Sequence, residues 1–261
     1  MRRSKIVALT RKDLQVMFSY RAEFLMRFAG ILFTVSLWYF LSRLLEPSHP
    51  GYFEYVIVGI AIQGFLTTLL YGTAGRMREE QVTGTLESVL ATPTPPSYLL
   101  FGGTLADMLN ASINAAAFIF LAAFLGGFTI DTGSWIGLIL GLLLTATTFA
   151  ALGSLSASAV ILFQKGNPFN FLITTMQALL GTVFFPVDIL PPWLQSTAEW
   201  MPMTRALHIL RGCFLNGMAF SEVIPDLLYL LLFTVVFSCI GMALFNASIN
   251  RARREGSLGR F

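Results

Sequence analysis

Apolar residues run along the chain in long blocks separated by short polar or proline-broken stretches. A helix needs about 20 mostly apolar residues to cross about 30 Å of hydrocarbon. Six blocks meet or approach that length: residues 25–45, 53–74, 97–126, 134–163, 169–185 and 224–248. The fifth is the shortest, and the third and fourth are long enough to tilt or protrude. The pattern predicts an all-α, polytopic membrane protein with six transmembrane helices, and no internal repeat or low-complexity tract interrupts it.

Three stretches between and beside the blocks carry their own periodicity. In residues 4–21, Ile6, Val7, Leu14, Met17 and Phe18 share one side, and Lys5, Arg11 and Lys12 supply charge. This predicts an interfacial amphipathic helix within 1–24, held by anionic lipid; the same charges also serve simply to set topology. The stretch is not a short charged cap on an apolar core, so no cleavable signal is expected and the first span stays as an anchor. In "MREEQVTGTLESVLATPTPP", residues 77–96, Val82, Leu86, Val89 and Leu90 fall on one helical face. Gly84 is costly inside a helix, which suits a start there, and Pro93 ends it. The loop 76–93 is therefore expected to hold a helix of about three turns. Periodicity leaves open whether it merely closes a hairpin or is a knob that a cytoplasmic partner pushes. Residues 186–220 are apolar, but prolines at 186, 191, 192 and 202 cut them into two pieces too short to span. Two short re-entrant outer helices packed against the bundle fit this pattern.

Composition agrees with a membrane location: 55% of the 261 residues are hydrophobic, 12% are charged, and mean hydropathy is +0.70. Soluble domains carry about 25% charged residues. Placing the N-terminus inside puts 14 of the 17 Lys and Arg on the cytoplasmic side, leaving Arg43, Arg205 and Arg211 outside. Trp38, Trp135, Trp193 and Trp200 then fall near the outer interface, where amphipathic rings prefer to sit. Both termini are expected in the cytoplasm. Six spans leave no room for a separate soluble domain, so residues 1–261 read as one membrane domain. Cys213 and Cys239 read as buried small side chains.

Polar residues inside the apolar blocks are candidate functional groups. Asp107, Asn110 and Asn114 form a stripe in the third block, and Asp107 is the one clear acid within a span. The stripe lines a pathway, couples to a gate, or simply bonds a neighbouring helix. Arg205, His208 and Arg211 recur every three residues on the second outer piece. They either attract an anionic group at an exit or pair with Asp188, Glu199 or Glu222, or snorkel. Gly137, Gly141 and Thr145 form a small-residue packing face. Gln63, Thr67, Thr174, Thr175 and Gln177 pose the same choice as the stripe, less sharply. The chain has no G-x-x-x-x-G-K-[ST], no H-E-x-x-H and no G-x-S-x-G, and its two His are isolated. No catalytic residue, metal site, cofactor or nucleic-acid contact is proposed for it, and by itself it is not expected to be an enzyme.

Two motifs resemble those of type-2 ATP-binding-cassette (ABC) exporter permeases. In 78–96, Arg78, Glu79, Gly84, Thr85, Leu86, Glu87, Leu90, Thr92 and Pro93 match that family's loop pattern R-E-x-x-x-G-T-L-E-x-L-L-x-T-P. Val89 stands where Leu is more usual. In 184–217, Pro186, Leu190, Pro191, Trp193, Leu194, Pro202, Thr204, Ala206 and Arg211 match its outer segment. The resemblance implies that 76–93 is a coupling helix whose Arg78, Glu79, Glu80, Gly84, Thr85, Leu86, Glu87, Leu90 and Pro93 contact an ATPase subunit. It further implies two ATPase copies, with ATP and Mg2+ bound on them, and a homodimer of this permease or a pair with a related one. Export of a glycan, lipid-linked, drug-like or amphiphilic cargo across a bacterial or archaeal cytoplasmic membrane follows. The outer segment would line the exit, with Asp107, Asn110, Asn114, Arg205, His208 and Arg211 as candidate pathway groups. The alternative reading is an ATP-independent secondary transporter or channel.

Overall fold

Block 53–74 has apolar residues on every side, the pattern of a helix surrounded by protein, and it forms the centre of the molecule. The computed structural model describes residues 21–45, 50–84, 103–126, 133–163 and 168–255. Among them are eight α-helices, one short 3-10 turn at Val187–Ile189 and no strand. In chain order the helices are α1 (Arg21–Leu45), α2 (Tyr52–Val82), α3 (Thr104–Gly126), α4 (Trp135–Phe163), α5 (Pro168–Leu180), α6 (Pro192–Glu199), α7 (Pro202–Leu215) and α8 (Phe220–Glu255). Central α2 packs against α1, α3, α4, α5 and α7, and α4 packs in turn against α7 and α8. The core joins Phe65, Leu66, Leu69 and Leu70 of α2 to Ala111 and Ala115 of α3, Phe149 of α4, and Met203 and Leu207 of α7.

Five helices are long and apolar enough to cross a membrane: α1, α2, α3, α4 and α8. The outer faces of α1 and α8 expose Phe33, Phe40, Leu228 and Leu232, as helices bordered by lipid do. The remaining block, 169–185, differs from the sequence expectation. Its helix α5 has 13 residues, which is about 20 Å and short of the hydrocarbon thickness. The chain leaves the helix at Gly181, and Thr182 takes a left-handed φ of 58°.

One other boundary also differs. Helix α2 does not stop near residue 74 but continues to Val82, carrying Arg76, Arg78, Glu79 and Glu80 on its last turns rather than in a loop. Gly84 ends it: its φ of 69° is open to glycine, and its N–H bonds the Gln81 carbonyl at 3.1 Å, a C-terminal glycine cap. The expected helix from Gly84 onward, including Thr85, Leu86, Glu87, Leu90 and Pro93, lies outside the described residues, as does the interfacial helix through residue 20. The proline-cut outer segment does form two short helices, α6 and α7, each with proline in its first turn, where the missing N–H costs nothing.

Small residues set the closest helix crossings. A Cβ on Gly141 would lie 2.6 Å from Ile209, and one on Gly137 2.9 Å from the Cys213 sulfur, so that face of α4 serves packing against α7. Thr145, on the same face, is buried. Both cysteines are free; Cys213 is buried as expected, whereas Cys239 is exposed.

Two glycines of α2 provide a direct comparison. A Cβ on Gly59 would meet the Val183 carbonyl oxygen at 2.3 Å, while one on Gly64 meets nothing within 4 Å. Gly59→Ala should destabilise the detergent-solubilised protein by about 1–3 kcal/mol through overpacking. Gly64→Ala should leave it unchanged or stabilise it by up to about 1 kcal/mol through helix propensity. Thermal midpoints measured by fluorescence-detected size exclusion check the pair, and equal effects would refute the close approach.

Candidate functional site

The break after α5 creates the chemistry of one end of the molecule. Irregular backbone within an apolar surround leaves carbonyls without helical partners, and those groups must be satisfied by protein. Arg211, buried on α7, does much of this. Its Nη1 donates to Thr182 O at 2.9 Å and its Nη2 to Val183 O at 3.1 Å. Its Nε and Nη2 reach across to Tyr55 O on α2, at 3.1 and 2.8 Å. The guanidinium carbon lies 3.4 Å from the centre of the Tyr55 ring, a cation–π contact. The Tyr55 hydroxyl donates to Thr182 O at 3.0 Å, and that of Tyr52 to Phe184 O at 3.1 Å. Gly59 leaves space for the arrangement, since a Cβ there would also strike Arg211 Nη2 at 2.7 Å.

Arg205 and His208, on the same helix, share a different partner. Arg205 Nη1 is 3.0 Å from Asp226 Oδ1, and His208 Nδ1 is 2.6 Å from Asp226 Oδ2. Asp226 belongs to α8 and is almost fully buried. This corrects the sequence reading, which named Asp188, Glu199 and Glu222 as carboxylate partners and missed a second acid within an apolar block. Glu222 is instead engaged with the backbone N–H of Ala219 at 3.0 Å. Glu199 offers its backbone carbonyl to Arg205 Nε at 2.9 Å. Asp188 is exposed, and lines a cleft of about 600 Å³ with Glu54, Tyr55, Thr182, His208 and Arg211. The hydrogen bond that His208 donates to the Asp226 carboxylate raises the His208 pKa above its ordinary value.

At the opposite end, the stripe on α3 is divided between two neighbours. Asp107 Oδ2 lies 2.7 Å from Arg76 Nη1 of α2. Asn110 Oδ1 accepts a 2.6 Å hydrogen bond from Arg27 Nη1 of α1 and a 3.3 Å bond from Asn114 Nδ2. The stripe therefore bonds adjacent helices, one of the three readings open from sequence. Arg27 and Arg76 had counted only as topology-setting charges; what could have marked them is their place inside or at the edge of an apolar block. Gln63 acts similarly, donating from Nε2 to Thr174 O at 3.0 Å and tying α2 to α5. Of the residues expected to contact an ATPase, Arg78 and Glu79 are exposed on the last turns of α2. An apolar groove of about 370 Å³ lies between α2, α3, α4 and α7, lined by Val58, Ile62, Phe120, Leu142 and Phe214 among others. Among the described residues no group of His, Cys, Asp and Glu could hold a metal ion.

Comparison with known proteins bears on this geometry. The family model described as "ABC-2 type transporter" matches residues 4–215. Similar proteins include the inner membrane transport permease YadH of Escherichia coli (strain K12), 24% identical over 202 residues that cover 76% of this chain and 77% of that protein. Nodulation protein J of Rhizobium leguminosarum bv. viciae is 28% identical over 186 residues, covering 70% of this chain and 68% of that protein.

Two outcomes test the outer arrangement. Arg211→Met strands the Val183 carbonyl, at about 1–3 kcal/mol when buried and unpaired, and leaves Thr182 O only its bond from the Tyr55 hydroxyl. It should lower the thermal midpoint well below that of Arg205→Met, because Arg205 is more exposed; equal shifts would rule out the carbonyl-capping role. For His208 the folded pKa is raised, so its contribution is complete below the ordinary value of about 6.5 and is lost as pH rises through the folded value. Thermal midpoints should decline over that interval in the native protein, and the decline should flatten in His208→Gln. An identical pH profile for the variant would count against the Asp226 contact.

Proposed function

The chain belongs to the ABC-2 type transporter family, and from that premise we propose that it is the permease subunit of an ATP-driven exporter. The family's permeases work with a separate ATPase, and this chain carries no phosphate-binding loop of its own. In this reading two copies form the pathway, two ATPase subunits dock on the cytoplasmic side, and ATP with Mg2+ resides on those subunits. The N- and C-termini face the cytoplasm of a bacterial or archaeal cell, in the inner membrane.

The observation that carries the reading is the extent of α2. Its 31 residues make about 46 Å of helix, against about 30 Å of hydrocarbon. The last turns, with exposed Arg78 and Glu79, therefore project beyond the apolar layer before Gly84 turns the chain. A stiff helix ending in charge, followed by the coupling motif, is what an ATPase needs if it is to bias the bundle. An ATPase drives a conformational change only by contacting two bundle states differently, and this projection supplies the contact. Helices α6 and α7 then lie at the outer face as the re-entrant exit segment. The six polar candidates act there and on α3 mainly as braces between helices. The cargo is an amphiphile: a cleft of mixed lining that carries Glu54, Asp188 and His208 and a wholly apolar groove are both lined by α2 and α7, which suits a polar head and an apolar body. No observation favours the ATP-independent transporter or channel, since Asp107 and Asp226 are both engaged by cations.

The test is capture of the partner. Affinity-purified native permease should bring down an ATPase chain. Glu87→Arg and Gly84→Pro should insert into the membrane at normal levels yet retain less than about a tenth of it, a loss of about 1.4 kcal/mol or more in binding. Undiminished capture by both variants would sink the assignment of the 76–93 segment as the coupling element.

A further inference from the structure

Resting on that reading, we propose that Arg76 and Asp107 form a brace across the base of the coupling segment, making α2 and α3 move as one body when the ATPase pushes. The placement is specific. Arg76 stands less than two turns before the end of α2 at Val82, and Asp107 is in the first turn of α3, which begins at Thr104. The ion pair, 2.7 Å across, thus joins the two chain ends from which residues 84–102 depart.

The surroundings are cut to fit this pair. A Cβ on Gly72 would fall 2.5 Å from Asp107 Oδ2, and a Cβ on Gly103 would fall 2.5 Å from the Arg76 guanidinium. Gly72 precedes Arg76 by four residues on α2, and Gly103 precedes Asp107 by four, one helical turn in each case. Each helix therefore leaves a bare patch one turn from its own charged residue, and the partner's charge fills it. A pair serving only to neutralise charge has no need for reciprocal clearance; a pair that must hold two backbones at fixed separation does. Further into the membrane, Arg27 bonds Asn110, so α1 joins the same body. The unit moved by the coupling segment is then α1, α2 and α3 together.

The brace is a positioning device, and its test needs a readout beyond protein yield. The complex with its ATPase is reconstituted in lipid nanodiscs, in a Cys239→Ser background, with spin labels at Leu44→Cys and Trp193→Cys. Both positions are exposed and distant in sequence from the pair. The shift in label separation between nucleotide-free and ATP–vanadate-trapped complex is measured by pulsed electron resonance. Arg76→Ala and Asp107→Ala should shrink that shift at least threefold while the ATPase still co-purifies. Arg76→Lys should restore it, because the contact runs through the single nitrogen Nη1 and needs a charge rather than a fork. Gly72→Ala keeps both charges but intrudes on the Asp107 carboxylate, and should also shrink the shift; it carries the test if Arg76→Ala fails to fold. A full shift in Arg76→Ala or Gly72→Ala overturns the brace alone. Absence of any shift, or of any ATPase, in the unaltered complex overturns the exporter reading and the brace with it.

Discussion

The hold of Arg211 on the broken end of α5 is the contact on which the outer half of the molecule depends. A helix can stop in an apolar environment only if something else satisfies its freed carbonyls. Here one guanidinium does so for Thr182 and Val183 while also bonding Tyr55 of α2. The cation thereby ties three elements that are far apart in sequence. It also explains why α7 can be short: its burial against α2, α4 and α8 replaces the length it lacks. Gly59 and the Tyr55 ring belong to the same construction, one by leaving space and the other by covering the charge.

The opposite end is held by a different kind of bond. Where Arg211 uses neutral carbonyls, Arg76 uses a carboxylate and Arg27 an amide oxygen. The difference follows from what each end must fasten. A frayed helix terminus offers carbonyls and so recruits a donor with several N–H groups. Two intact helices offer no free backbone, so side chains must meet side chains. The near absence of lone charges in the apolar blocks has the same origin, because an ion removed from water is tolerable only beside a partner.

Much of this was legible in the residues. Five of the six apolar blocks became long helices, and prolines 186, 191, 192 and 202 marked the boundaries of two short ones. The polar stripe on α3 and the cation series on α7 were visible from spacing alone. What the residues did not reveal was partnership across the sequence. Asp226 sits in the final block, 15 to 21 residues beyond the cations of α7, and nothing local connects it to them. The nearer acids looked better by proximity, but Glu222 is spent on its own helix start. The end of α5 was equally hidden, because residues 169–185 stay apolar through the break; only Thr182 adopting a left-handed backbone marks it, and no sequence pattern announces that. Likewise Gly84 was legible as a breaker, but as the end of α2 it allowed the helix to run eight residues past the expected limit at 74.

Helix α2 belongs to both ends. Tyr55 and Gly59 lie beside Arg211, and Gly72 and Arg76 lie beside Asp107. Tyr55 and Arg76 are 21 residues apart, about 31 Å along an unbroken helix. A helix of this length, buried along its middle against α3, α4 and α7, has little freedom to bend without opening its own core, because packed interiors do not deform continuously. In the proposed mechanism, displacement of its charged end reaches Tyr55 and, through Arg211, α7 and the segment 182–184, the elements that these contacts join. The carbonyl contacts at that far end are four separate hydrogen bonds and can be exchanged one at a time, whereas the rod between cannot yield piecemeal. Under the proposed coupling, a push on the end of α2 emerges where the backbone is already irregular, at the break after α5, and that is also where the cleft lies.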